Sequence, residues 1–165
     1  MTESSHTTTT KHTCFDGQSH SATCTSVETV TIGAHEELRS SNGAFACGGW
    51  RYAYFSVNHY EYGGFGNLLW HIWMPGQDRF NGCSVAVNWG PRSECQAYEG
   101  WQCGATLYLG AYWNASVSAL DHYADRQTDY WITWMHVGQY TTYTRFYLQP
   151  NGHHWSNEWS QCNIC

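Results

Sequence analysis

The sequence predicts an all-β fold: a small, disulfide-stapled, antiparallel β-sandwich or closed β-barrel of about seven or eight strands. Three observations carry this. Runs rich in β-branched and aromatic residues follow one another from Trp50 to the C-terminus. Turn-forming residues separate them, at Gly63-Gly64, Pro75-Gly76, Asn81-Gly82, Gly90-Pro91, Gly138 and Pro150-Asn151-Gly152. No segment shows the 3.6-residue apolar stripe of a confident helix.

Residues 1–13, "MTESSHTTTTKHT", are rich in Ser, Thr and His and hold no large apolar residue except Met1. Such a segment cannot bury enough surface to order itself, so it reads as a flexible extension of a single domain over 14–165. It can still gain order by adding a strand to a sheet edge. A truncation starting at Thr13 is therefore expected to keep the thermal midpoint within a few degrees. "CFDGQSHSATC" (14–24) is a short loop with a turn at Asp16-Gly17, and a Cys14–Cys24 bridge fits across it. "SVETVTI" (26–32) reads as a strand. "GAHEELRSSNGA" (33–44) has room for one helical turn, limited by Gly33 and Asn42-Gly43.

Seven further strand candidates follow: 51–62, 67–74, 83–89, 105–113, 115–120, 129–137 and 140–148. In "DYWITWMHV" one face carries Tyr130, Ile132, Trp134 and His136, the other Trp131, Thr133, Met135 and Val137. Neither face is plainly polar, so the outward one presents aromatics for contact or is covered.

The eight cysteines, Cys14, Cys24, Cys47, Cys83, Cys95, Cys103, Cys162 and Cys165, are even in number and spread along the chain. A chain of 165 residues can bury a sizeable core without staples, so the cysteines speak for an oxidising, extracellular compartment. Four disulfides are expected, with Cys14–Cys24 and Cys95–Cys103 as local pairs. "CNIC" (162–165) has the spacing of a thiol–disulfide exchange motif, but that chemistry needs a helix N-terminus after the first cysteine. Each of its sulfurs is expected to pair with a distant cysteine. "MTESSHTTTTKH" is not a signal peptide. A secreted mature form behind an added or retained Met1 is the expectation, with a non-classical export route as the alternative.

Charge excludes some partners. Thirteen acidic residues against seven basic give a net charge of −6, and lysine occurs once, at Lys11. No basic stripe is present to neutralise phosphates, which argues against nucleic acid and anionic membrane surfaces. No apolar run approaches the ~20 residues of a transmembrane helix. Ten histidines invite a metal, but no H-x-H pair, HExxH or C-x-x-C-H spacing occurs, so neither metal nor cofactor is expected.

The most informative feature is Trp and Tyr beside Asn, Asp, Glu and Gly. Sugars offer C–H faces to aromatic rings and hydroxyls to fixed amides and carboxylates. "YEGWQCG" (98–104), "GAYWN" (110–114) and the disulfide-anchored terminal loop "GHHWSNEW" (152–159) each supply such a set. The leading expectation is a secreted, non-enzymatic, lectin-like module. It would bind a glycan or cell-surface glycoconjugate through Trp101, Trp113, Trp155, Asn157, Glu158 and Trp159. A secreted toxin or effector with hydrolase activity on Asp121, His122, Asp125 and Arg126 is the enzymatic alternative. An extracellular structural or adaptor subunit that buries its aromatic faces in a protein partner is the third. Asn114-Ala115-Ser116 is an N-glycosylation sequon if the chain passes through a eukaryotic secretory route.

Overall fold

The computed structural model describes residues 2–35 and 47–165. The helical turn expected over 33–44 falls largely outside these residues. Among these residues ten strands form in chain order: β1 (Thr2–Cys14), β2 (Ala22–His35), β3 (Arg51–Tyr62), β4 (Leu68–Phe80), β5 (Val85–Trp89), β6 (Glu94–Ala97), β7 (Trp101–Asn114), β8 (Ala119–Ile132), β9 (Met135–Leu148) and β10 (His154–Ile164). No helix occurs among the described residues.

The strands make two antiparallel sheets. The first runs β1-β2-β3-β4-β5, with β6 also pairing β4; the second runs β10-β9-β8-β7. Among the described residues neither sheet closes on itself, so the barrel alternative is corrected: the architecture is roughly a sandwich, with ten strands there rather than seven or eight. Strand alternation supplies the core. Val30, Ile32, Ala53, Phe55, Val57, Met74 and Phe80 from the first sheet meet Ala124, Phe146 and Leu148 from the second. A second cluster, with Phe15, Leu69, Trp70, Ile72, Trp101 and Tyr140, fills the end that holds the β1–β2 turn.

The four disulfides are Cys14–Cys24, Cys47–Cys83, Cys95–Cys103 and Cys162–Cys165. Both local pairs match expectation. The terminal pair does not: Cys162 and Cys165 bond to each other rather than to distant partners, because every other cysteine is taken.

Several strand boundaries differ from the sequence reading for identifiable reasons. The segment read as flexible is β1 from Thr2 on, paired along β2 from Thr2↔Ala34 to Cys14↔Ala22. It gains its order from a neighbour's ladder rather than from an apolar face of its own. β4 runs straight through Pro75-Gly76. On its far side β6 pairs Trp70–Trp73 and β5 pairs Gln77–Phe80, so the missing proline donor falls in the gap between them. Gly76 admits the Phe55 ring, which would lie only 2.3 Å from a Cβ there. "DYWITWMHV" is a hairpin instead of one strand: β8 ends at Ile132, Thr133 and Trp134 turn, and β9 starts at Met135. Thr133 takes the left-handed conformation, φ 54°, a job usually given to Gly or Asn. Residues 115–118 are likewise a turn, and the terminal loop is the strand β10.

Candidate functional site

β10 is an edge strand, and its alternation sorts the terminal segment into two faces. Trp155, Asn157, Trp159 and Gln161 pair with Tyr147, Arg145, Tyr143 and Thr141 of β9. On β8 the same rows continue with Asp121, Tyr123, Asp125 and Gln127. On β7 they reach Tyr112, Gly110 and Tyr108. The intervening residues of β8 and β9, such as Ala124, Phe146 and Leu148, point into the core, so these rows form the outer face of the second sheet.

Three rows cross that face. The first is Trp155–Tyr147–Asp121–Tyr112, the second Asn157–Arg145–Tyr123–Gly110, and the third Trp159–Tyr143–Asp125–Tyr108. Trp155 stacks on Tyr147 with centroids 4.9 Å apart and Trp159 on Tyr143 at 4.8 Å, both nearly parallel. Each tryptophan thus spends one ring face on its neighbour and turns the other toward the open edge of β10. Arg145 sits between the aromatic rows. Its guanidinium is 5.5 Å from the Tyr123 ring and 5.7 Å from Trp159, and it donates to Asp125 at 2.5 Å. Gly110 leaves space for the Tyr123 hydroxyl, which would lie 2.7 Å from a Cβ. Asp121 accepts from the Asn114 amide at 3.1 Å.

A cleft of about 370 Å³ opens beside this edge, lined by Ser4, Ser5 and His6 of β1, Val30 and Ile32 of β2, and His154, Trp155 and Ser156 of β10. A neighbouring cleft of about 300 Å³ shares Ser4, Ile32 and His154 with it. Trp155 therefore borders both the aromatic face and the cleft.

The inward side of this seam is polar and charged. His12 Nε2 meets Glu61 at 2.8 Å, Ser26 donates to Glu61 at 2.7 Å, and His59 Nε2 lies 3.2 Å from Glu61 and 3.1 Å from Ser160. Burial alone would raise the Glu61 carboxyl, but the hydrogen bonds from His12 and His59 hold it down to about 2. Glu158 behaves oppositely. Burial pushes it up to about 7, and the nearby charge of Glu28, whose own carboxyl burial also raises, adds to this.

The structure disperses the other residues singled out by sequence. Trp155, Asn157 and Trp159 come together on the outer face. Glu158 points the opposite way, into the seam. Trp113 lies on the other side of β7 from Tyr112, half exposed. Trp101 is 3% exposed and packs against Trp70, Tyr130 and Tyr140 in the core, so it offers no ring to a ligand. The four residues of the hydrolase alternative alternate between faces. Asp121 and Asp125 point outward, while His122 pairs inward with Asp78 at 2.9 Å and Arg126 donates to the Ser93 carbonyl. They do not converge on one substrate. Among the described residues no group of three or more His, Cys, Asp or Glu is arranged to hold a metal ion. Sequence reading missed Tyr143, Arg145 and Tyr147, whose period-two spacing in "YTTYTRFYL" was the available signal.

No family model matches the chain, and no similar curated protein or solved structure is found.

Proposed function

We propose that the protein is a secreted, non-enzymatic module that binds carbohydrate on the outer face of the second sheet, along the free edge of β10. The observation that carries this reading is the pair of aromatic rows flanking Asn157 and Arg145. Trp155 and Trp159 are four residues apart on one strand, ~13 Å by strand rise, which suits a short oligosaccharide laid along the edge. Ring faces take the C–H faces of sugars, while the Asn157 amide and Arg145, itself held by Asp125, hydrogen-bond hydroxyls. Ser4, Ser5, His6 and Ser156 add donors and acceptors where the cleft meets Trp155. Four intramolecular disulfides are typical of extracellular proteins and support secretion.

A glycan array followed by calorimetry tests this. Trp155→Ala and Trp159→Ala are each expected to weaken binding tenfold or more, about 1.4 kcal/mol. Trp113→Ala, on the opposite side of its strand, is expected to change it little. An array with no ligand, or equal affinity in all three variants and the wild type, would falsify the reading.

A further inference from the structure

Exposed apolar side chains gather at one end of the sandwich. Among the described residues Phe65 and Trp134 are the most exposed large apolar side chains, at 89% and 81%. Each sits at a turn, Phe65 between β3 and β4 and Trp134 between β8 and β9. Both turns lie at the end that holds the β1–β2 turn. Asp16 of that turn accepts from the Gly64 amide at 3.1 Å. A Cβ on its Gly17 would lie 2.9 Å from the Tyr130 ring, at the foot of the β8–β9 hairpin.

The hairpin is a prong. At this end β7 shares its last rung with β8 at Trp101↔Tyr130, and β10 shares its last with β9 at Ile164↔Gln139. Beyond them residues 131–136 pair only with each other, as Trp131↔His136 and Ile132↔Met135. Successive rungs point to opposite faces, so Trp131 stands on one face, Ile132 and Met135 on the other, and Trp134 at the tip. All four are more than 40% exposed. Residues 130–135 carry no charge. The carboxylate before them, Asp129, is held by His136 and Gln139 at 2.8 Å each.

We infer that this end of the molecule seats in the surface of a zwitterionic lipid bilayer, with the β8–β9 prong inserted and Phe65 as a second anchor. The shape of the prong selects a bilayer. It is apolar on both faces and at its tip, so its occupant must surround it. A fluid surface does so without a matching pocket, whereas a flat protein surface covers one side. The free ladder beyond Tyr130 is too short to template another strand. Its reach, the paired residues and the turn, is roughly 10 Å at strand rise. That matches the ~5–10 Å depth of the headgroup and upper acyl boundary and falls far short of the ~9–11 residues of a spanning strand. Its free backbone groups therefore stay in the hydrated interface, where tryptophan rings settle. Charge selects the lipid class. The segments that meet at this end, 14–25, 60–68, 96–104, 128–138 and 160–165, contain no Lys or Arg. Nothing there attracts anionic headgroups, and a net charge of −6 repels them. The inference stands apart from the carbohydrate reading, which uses neither the prong nor Phe65.

Co-sedimentation with phosphatidylcholine vesicles tests the inference. The wild type is expected to partition onto them equally in low and high salt, with no gain when phosphatidylserine replaces part of the lipid. Trp134→Ser should lower the partition coefficient tenfold or more, and Phe65→Ser severalfold, both with an unchanged far-ultraviolet spectrum. Trp113→Ala removes a half-exposed tryptophan at the opposite end of the sandwich, beside Asn114↔Ala119, and should leave it unchanged. Phosphatidylcholine brominated high on its acyl chains provides a second measurement. It should quench the tryptophan fluorescence of the wild type, and quench Trp134→Phe less, since that variant keeps an apolar tip without the fluorophore. A wild type that stays off the vesicles, partition that requires phosphatidylserine or is abolished by salt, equal partition of the wild type and both serine variants, or equal quenching of wild type and Trp134→Phe would each overturn the inference. The vesicles carry no sugar, so failure here leaves the carbohydrate reading untouched.

Discussion

Glu61 and Glu158 sit on the same seam, and their surroundings push them in opposite directions. Glu61 accepts from His12, Ser26 and His59, which outweighs its burial and holds it at about 2. Its folded pKa lies below the ordinary 4.5, so its contribution to stability is present above pH 4.5 and is lost as pH falls toward 2. Glu158 is raised to about 7 by burial and by Glu28. Its sign is reversed: the contribution is full below pH 4.5 and is lost as pH rises through 7. A Gln at 158 keeps the neutral donor and never ionises. Glu158→Gln should therefore leave the midpoint unchanged below pH 4.5 and raise stability well above pH 7, by about 3 kcal/mol at most. Glu61→Gln should instead destabilise the protein at neutral pH. Thermal melts of both variants across pH check this; a Glu158→Gln variant no more stable than wild type above pH 7 contradicts the raised Glu158 carboxyl. Neither role was legible in the sequence. Glu158 stood between two tryptophans and read as their companion, but alternation sends it to the other face.

At the scale of elements, composition located the strands well where punctuation was explicit. The run 51–62 coincides with β3, and 26–32 lies inside β2. It failed where a turn was made of strand-like residues or a strand of loop-like ones. The Ile132–Met135 turn lacks Gly and Asn, so nothing in "WITWM" marked it. Thr133 is β-branched at φ 54°, a conformation that favours glycine. Thr133→Gly should stabilise the hairpin by about 1 kcal/mol, or about 2–4 °C in midpoint for a chain of this size, readable by calorimetry. An unchanged or lower midpoint would mean that the threonine is not strained there. β1 is the converse case. Its Thr and Ser have no apolar face, so its order is tertiary and lay beyond a local reading. Removing residues 1–12 strips the ladder from β2 and takes His12 from Glu61. The truncation should therefore lower the midpoint by more than ~5 °C, against the few degrees expected of a loose extension. A midpoint within a few degrees of wild type would mean that β1 adds little to the fold.

For the whole molecule, the disulfides sit at different depths in the topology. Cys14–Cys24 closes the β1–β2 turn beneath Phe15, with both residues buried. Cys95–Cys103 links β6 of the first sheet to β7 of the second, and so ties the sandwich together at one end. Cys47–Cys83 ties the approach to β3 to the β4–β5 turn and closes the longest loop, with a separation of 36, against 10, 8 and 3 for the other bridges. Chain entropy in the unfolded state then sets an expected order. Loop closure gives ~4 kcal/mol for the 47–83 bridge, ~2.5–3 for 14–24 and 95–103, and under ~2 for 162–165. Paired Cys→Ser variants, unfolded in urea one bridge at a time, should lose stability in that order. The terminal pair is the sharpest case, because it constrains almost no chain and starts at the last regular rung of β10, Cys162↔Tyr140. Cys162→Ser with Cys165→Ser should be the mildest of the four. If it proves the most damaging, the C-terminal end of β10 is a keystone of the end core through Tyr140, whose hydroxyl lies beside Cys165, and loop length is the wrong measure of what this bridge does.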